Sequence, residues 1–151
     1  MNHSMRRLIA GSFLLCMSMG ASAIWAHHAG ANFSRDQQYI FKGTVKKFLW
    51  ANPHAWVYLD VVKANGTTEF WGFELQGGTN MLRRAGWNPT DLKVGDKVTI
   101  QAAIDRTGKR IAAMETVTTA DGRTLSAWPK GQGPGGPPGF GGPKKPAAEY
   151  K

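Results

Sequence analysis

The chain has 151 residues, with 19 Lys or Arg against 10 Asp or Glu and a formal net charge of +9. A length of this order fits one domain. The charges are interleaved along the central region rather than gathered in a stripe, which argues against a nucleic-acid partner. The only cysteine, Cys16, lies in a leader-like segment. A mature chain without it has no disulfide, no thiolate metal site and no thiol nucleophile, so its stability must come from its core.

Residues 1–23 read as a secretory signal peptide. Arg6 and Arg7 form the charged start, Leu8 to Met19 is mostly apolar, and Ala21-Ser22-Ala23 is an A-x-A cleavage site. A cut after Ala26 is the alternative. The apolar run is shorter than the roughly 20 residues of a membrane span, so no transmembrane span is expected in the mature chain. An uncleaved N-terminal anchor, or export by a twin-arginine route, would also fit these residues. The expected location is periplasmic or secreted, in a bacterium.

The ordered region, residues 27–128 with an N-terminal arm, is dominated by period-two apolar patterning. Tyr39 to Trp50 predicts a long first strand with Phe41, Gly43, Val45 and Leu49 on one face, and Gly43 as a bulge or bend. Ala55 to Val62 predicts the second. Ala55, Val57, Leu59 and Val61 share one face; Trp56, Tyr58, Asp60 and Val62 share the other. Asn65-Gly66 is a hairpin signal, because both residue types tolerate positive φ. Thr67 to Leu75 returns as a third strand.

A short helix over Asn80 to Ala85 follows, with Thr79 as its cap and Gly86 as its stop. After a turn at Val94 to Asp96, Lys97 to Ala103 predicts the fourth strand. Asp105 to Arg110 is a loop, Ile111 to Thr119 the fifth strand, and Arg123 to Trp128 a short sixth. Three strands, a helix and two more strands is the order of an OB-like barrel of five to six strands, in an all-β fold. A split barrel or small sandwich is the alternative. Residues 129–151 form a basic tail rich in Gly and Pro, a composition expected to be disordered because it buries too little apolar surface.

The chemistry-bearing residues are few. The mature chain has His27, His28 and His54. Neutral imidazole is the commonest metal-ligand side chain. His27 as a new N-terminus, after a cut at Ala26, would add an amine to its own ring, and His54 would complete a nitrogen site suited to copper. The plainer reading is a solvated His-His pair. For His54, Asn52-Pro53 fits the first half of a type I turn joining strands one and two, with His54 at the third position. That loop and Asp105 to Arg110 border the usual ligand face of an OB barrel. His54 is either presented there or packed beside Trp56.

Trp50, Trp56 and Tyr58, with Arg106, Lys109 and Arg110, are the ligand-binding candidates: an aromatic sheet face stacks planar ligands, and a basic loop borders it. The alternative is that these rings cover a second small core with Phe33; Phe70, Trp71 and Phe73 are expected in the main core. Gly77-Gly78-Thr79 before a helix is a weak anion-site pattern. No catalytic residue is assigned. Ser34 and Ser126 lack a nucleophile-elbow context, and Glu69 and Glu74, five apart in one strand, face opposite sides.

"AHHAGANF", "GTVKKFLWANPHAWVYLDV", "WGFELQGGTNMLRRAGW" and "LKVGDKVTI", in this order, resemble a family of small secreted bacterial proteins that is classed as a domain of unknown function. The resemblance covers about Ala26 to Leu125. It implies an exported protein with a small β-barrel-like domain and no particular activity. The family opens His-His-Ser-Phe after its signal; here His27-His28-Ala29-Gly30 stands instead and Phe33 is delayed. A looser likeness to small periplasmic copper-binding OB proteins, which use His, Met and Trp, is an analogy of fold and compartment.

The expectation is therefore an exported, non-enzymatic binding or accessory protein. Its ligand is a metal ion such as copper at His27, His28 and His54. The alternative is an oligosaccharide, cell-wall polymer or exported protein partner bound by the aromatic face and basic loop. An enzyme whose acid and base converge only in three dimensions is the third class.

Overall fold

A computed structural model describes residues 32–34, 36–128 and 145–151. The chain divides into two units, Met1–Asn32 and Phe33–Lys151. Everything below from Phe33 onward belongs to the second. The segment expected to be a signal peptide, His27 and His28 lie outside the described residues, as does most of the Gly/Pro-rich segment.

The elements run β1 (Tyr39–Leu49), β2 (Trp56–Val62), β3 (Thr68–Glu74), α1 (Thr79–Arg84), β4 (Lys97–Ile104), β5 (Ile111–Thr119), β6 (Thr124–Ser126) and β7 (Ala148–Glu149). Neighbouring strands follow the order β2-β3-β5-β4-β1, and β1 also pairs with β2. That closure makes a five-stranded barrel. Every pairing around it is antiparallel except β3 with β5. It is the OB-like barrel of the expected strand order, with one short helix between strands three and four. Among the described residues no helix is long and apolar enough to cross a membrane.

Closure needs β1 to serve two neighbours. Its first half pairs with β4 from Tyr39 to Thr44, and its second half with β2 from Gly43 to Leu49. Gly43 lies at the handover, where a Cβ would collide with the Asp60 carbonyl. The bulge itself sits further on, between Val45 and Lys47. Beside it the 93–96 turn docks onto the strand: Asp96 O accepts from Val45 N (2.8 Å) and Val45 O accepts from Gly95 N (2.9 Å). One extra residue reverses the alternation beyond it. Phe48 therefore packs on the core, and Leu49, expected inward, pairs beside the outward Trp56.

The main core draws Phe41 and Val45 from β1, Val57, Leu59 and Val61 from β2, and Trp71 and Phe73 from β3. Helix α1 closes one end with Leu82. Trp87, just past Gly86 (φ 92°), is buried there and donates its indole N–H to Ser126 O at 2.7 Å. A second cluster joins Phe33, Ala103 and Ala113, with Ile111 against it. Phe33 is held there by a bridge to Asp105 and by Ser34 N donating to Ile104 O.

Two expectations change in detail. In the Asn65-Gly66 turn only Gly66 takes positive φ (81°), while Asn65 Oδ1 accepts from Thr67 N and Oγ1. The end of the tail, included in the disordered segment on composition, forms β7. It pairs parallel with β1 and inserts Tyr150 against Phe41. Composition averaged over Gly and Pro hides one aromatic anchor.

Candidate functional site

The loop between β1 and β2 differs from the expected type I turn. The Asn52–Pro53 peptide bond is cis, so Pro53 does not occupy the second position of such a turn. Nor does Asn52 bond its own backbone two residues on. Its Oδ1 accepts from Thr79 N at 2.9 Å and from Thr79 Oγ1 at 3.3 Å. Thr79 is thus the first residue of α1 rather than its cap. Gly78 holds the cap position without a side-chain bond of its own, and a Cβ on Gly78 would strike Asn52 Oδ1. The close approach of two loops requires glycine there. The weak anion site at this helix start does not survive, because Asn52 already takes the Thr79 N–H.

This docking positions His54. Its Nδ1 is hydrogen-bonded to Glu74 Oε1 at the end of β3. A carboxylate only accepts, so Nδ1 carries the proton and donates it. Glu74 is buried, whereas 35% of the His54 side chain is exposed. The carboxylate fixes the ring, and Nε2 has no partner among the described residues. His54 therefore does not merely pack beside Trp56 or bond a backbone carbonyl.

From this pair an aromatic row runs along the outer face of β2 and β3. Trp56 stands opposite Glu74, and Tyr58 opposite Gly72. Trp56 and Tyr58 are stacked with centroids 6.1 Å apart at 18°, and Tyr58 and Phe70 at 5.7 Å and 8°. Gly72 leaves room beneath them. A Cβ there would lie 3.3 Å from Tyr58 Cε1 and 3.5 Å from two atoms of the Trp56 ring. Phe70, expected in the core, is 54% exposed. Trp56 and Tyr58 belong to neither apolar cluster, so the second core under Phe33 forms without them.

The other candidates divide. Trp50 is not part of the row: it packs on the main core at 5.7 Å from Phe48, with Arg83 above its ring. Arg106 and Lys109 are exposed in the β4–β5 loop. Arg110 O accepts from Gly72 N at 3.0 Å, which sets this loop at the Phe70 end of the row, opposite His54. The Arg110 guanidinium reaches Glu69 at 3.5 Å.

Glu69 and Glu74 do face opposite ways. Glu69 accepts from the Trp71 indole N–H at 3.0 Å and the Tyr150 hydroxyl at 2.9 Å. The Trp71 bond, then the Tyr150 bond, hold its carboxyl below the usual range. Sequence reasoning did not single out Phe70, Gly72, Glu74 or Tyr150 as parts of one surface or another. For Phe70, Gly72 and Glu74 a period-two signal existed, since they alternate with the inward Trp71 and Phe73.

The family model of DUF6152, a family of unknown function, matches residues 14–114. The chain belongs to this family. The match takes in β1 to β4, α1 and the first residues of β5, hence His54, Glu74 and the whole aromatic row. β6 and the tail lie outside it. No curated protein matches, and no solved structure matches. Among the described residues no group of three or more His, Cys, Asp or Glu is placed to hold a metal ion.

Proposed function

We propose that this DUF6152 protein is an exported, non-enzymatic binding module. Its ligand surface is the row Trp56, Tyr58 and Phe70, with the His54–Glu74 pair at one end. The observation that carries the reading is the row itself: three stacked rings, two of them over Gly72, and all three outside both cores. Phe70 is 54% exposed and Trp56 and Tyr58 are half-buried, so the row leaves ring surface in water that a ligand would cover. The β2–β3 face and its two bordering loops are where OB barrels carry ligands.

A polymer of flat, uncharged units fits this surface, and an oligosaccharide is the class that suits an exported protein. A phosphate backbone suits it poorly, since Asp60 and Glu74 share the face. Titration of the full chain with a panel of neutral and acidic oligosaccharides, followed by tryptophan fluorescence, tests this. Saturable binding that persists with a chelator and falls at least tenfold in Trp56→Ala is expected. No binding across the panel, or binding unchanged in Trp56→Ala, overturns it.

A second reading rests on His54. A ligating histidine commonly has its other ring N–H held by a carboxylate, as Glu74 holds Nδ1 here. Nε2 would then be the atom that meets copper. Copper titration of the correctly processed protein should show saturable binding that His54→Ala weakens. Binding indifferent to His54→Ala removes His54 from any metal site.

A further inference from the structure

The second surface lies at the barrel end near Glu69, away from His54. Two strands leave it open. β1 begins at Tyr39, but its pairing with β2 begins only at Gly43, because β2 ends at Val62 and turns at Asn65-Gly66. On that side the backbone of residues 38–40 forms a free edge, the kind of edge that recruits another strand. Behind it the rings of Phe41 and Trp71 line the mouth, and Glu69 offers a carboxylate.

The C-terminal segment occupies this place. Ala148 N donates to Gln38 O and Tyr150 N to Ile40 O, each at 3.0 Å. Tyr150 stacks on Phe41 at 4.7 Å, meets Trp71 edge-on at 5.1 Å, and donates its hydroxyl to Glu69. Lys42 pairs with Glu149 at 2.7 Å. These are the parts of a strand-addition site: main-chain bonds for affinity, one side-chain pocket for specificity and one charge pair.

The contact is also small. Within residues 145–151 only Ala147 and Tyr150 are even half-buried, and all the rest are exposed. The Tyr150 ring and hydroxyl, two main-chain bonds, the Lys42–Glu149 pair and a bond from Gln37 Nε2 to Pro146 O at 3.2 Å hold the segment.

We propose that this mouth is a docking site for the C-terminal strand of a second copy of the chain, exchanged with the chain's own. A second copy carries the peptide that already fits the mouth, with the same Glu-Tyr pair and the same polarity. Exchange of an identical element preserves every contact and is a low-cost route to a dimer. In a dilute single species the cis contact wins, because a tethered segment acts at an effective concentration on the order of millimolar. Exchange is driven when one copy has an empty mouth and another has an unbound tail.

Two full-chain variants create that situation. Tyr150→Ala empties the mouth and leaves the barrel intact. Glu69→Ala removes the hydroxyl acceptor and frees the tail. Native mass spectrometry and sedimentation should find each variant monomeric alone and a one-to-one heterodimer on mixing. In parallel, a synthetic Lys145–Lys151 peptide should bind Tyr150→Ala saturably. It should bind the unmodified chain at least tenfold more weakly, and a peptide with Ala for Tyr should lose binding at least tenfold. A peptide that fails to bind Tyr150→Ala overturns the docking site, whether or not Glu69→Ala folds. Peptide binding without any heterodimer from folded partners overturns the second copy as its occupant.

Discussion

Strands β2 and β3 carry two aromatic groups on opposite faces, and the two are packed in different ways. Trp71 and Phe73 point inward with Phe41, their rings meeting at mixed angles between 29° and 74°. Trp56, Tyr58 and Phe70 point outward, near-parallel, the first two over Gly72. Phe70 and Phe73 are three residues apart on one strand, yet one is 54% exposed and the other fully buried. The inner rings interlock because the barrel must be filled. The outer rings belong to neither apolar cluster, and their alignment is what the proposed ligand surface rests on.

The largest and smallest expected effects belong to the same measurement. Phe73→Ala leaves a cavity in a closed barrel and should cost about 3–5 kcal/mol in chemical denaturation. Phe70→Ala on the outer face should change stability by no more than about 0.5 kcal/mol. Equal losses in the two variants would break the contrast, since Phe70 would then be structural.

Between these extremes stands Tyr150, which extends the inner group from the end of the chain. Burial, then the bond to Glu69, push its phenol above the usual value of 10.0. The Glu69 carboxyl is held below 4.5 by Trp71 first and Tyr150 second. The signs give two limbs. The raised phenol contributes in full below pH 10 and is lost as pH rises through its folded value. The lowered carboxyl contributes above pH 4.5 and is lost as pH falls through its folded value. Lys63, at 5.8 Å from the ring centroid, and Arg110 both favour the ionised Glu69 beside them. The ring resonances of Tyr150 in a pH titration should therefore stay unchanged from about pH 5 to pH 9 and move only outside that range. Movement near neutrality would mean that the phenol–carboxylate bond does not hold the tail.

Most of the barrel was legible in the sequence because its strands alternate. Ala55, Val57, Leu59 and Val61 are all buried, as period two requires. The helix boundaries came within a residue from Thr79 and Gly86. The errors fall where alternation breaks or distance intervenes. The bulge after Val45 inverted Leu49 and Phe48, because a bulge is set by what docks beside it, here the 93–96 turn. Phe70 looked like core because hydrophobicity alone does not say which face a residue takes. Asn52 looked like a local turn former, but its partner is Thr79, 27 positions away.

By itself, then, the sequence determined the barrel class, the two faces of β2 and the histidines worth weighing, because each is encoded in neighbours two to four residues apart. Only the tertiary structure decided that Glu74 orients His54, that Trp50 leaves the outer row to Trp56, Tyr58 and Phe70, and that Tyr150 returns to Phe41. Each of these joins residues from different strands or from opposite ends of the chain. Such contacts arise from barrel closure, and no local pattern records which distant side chain closure will bring near.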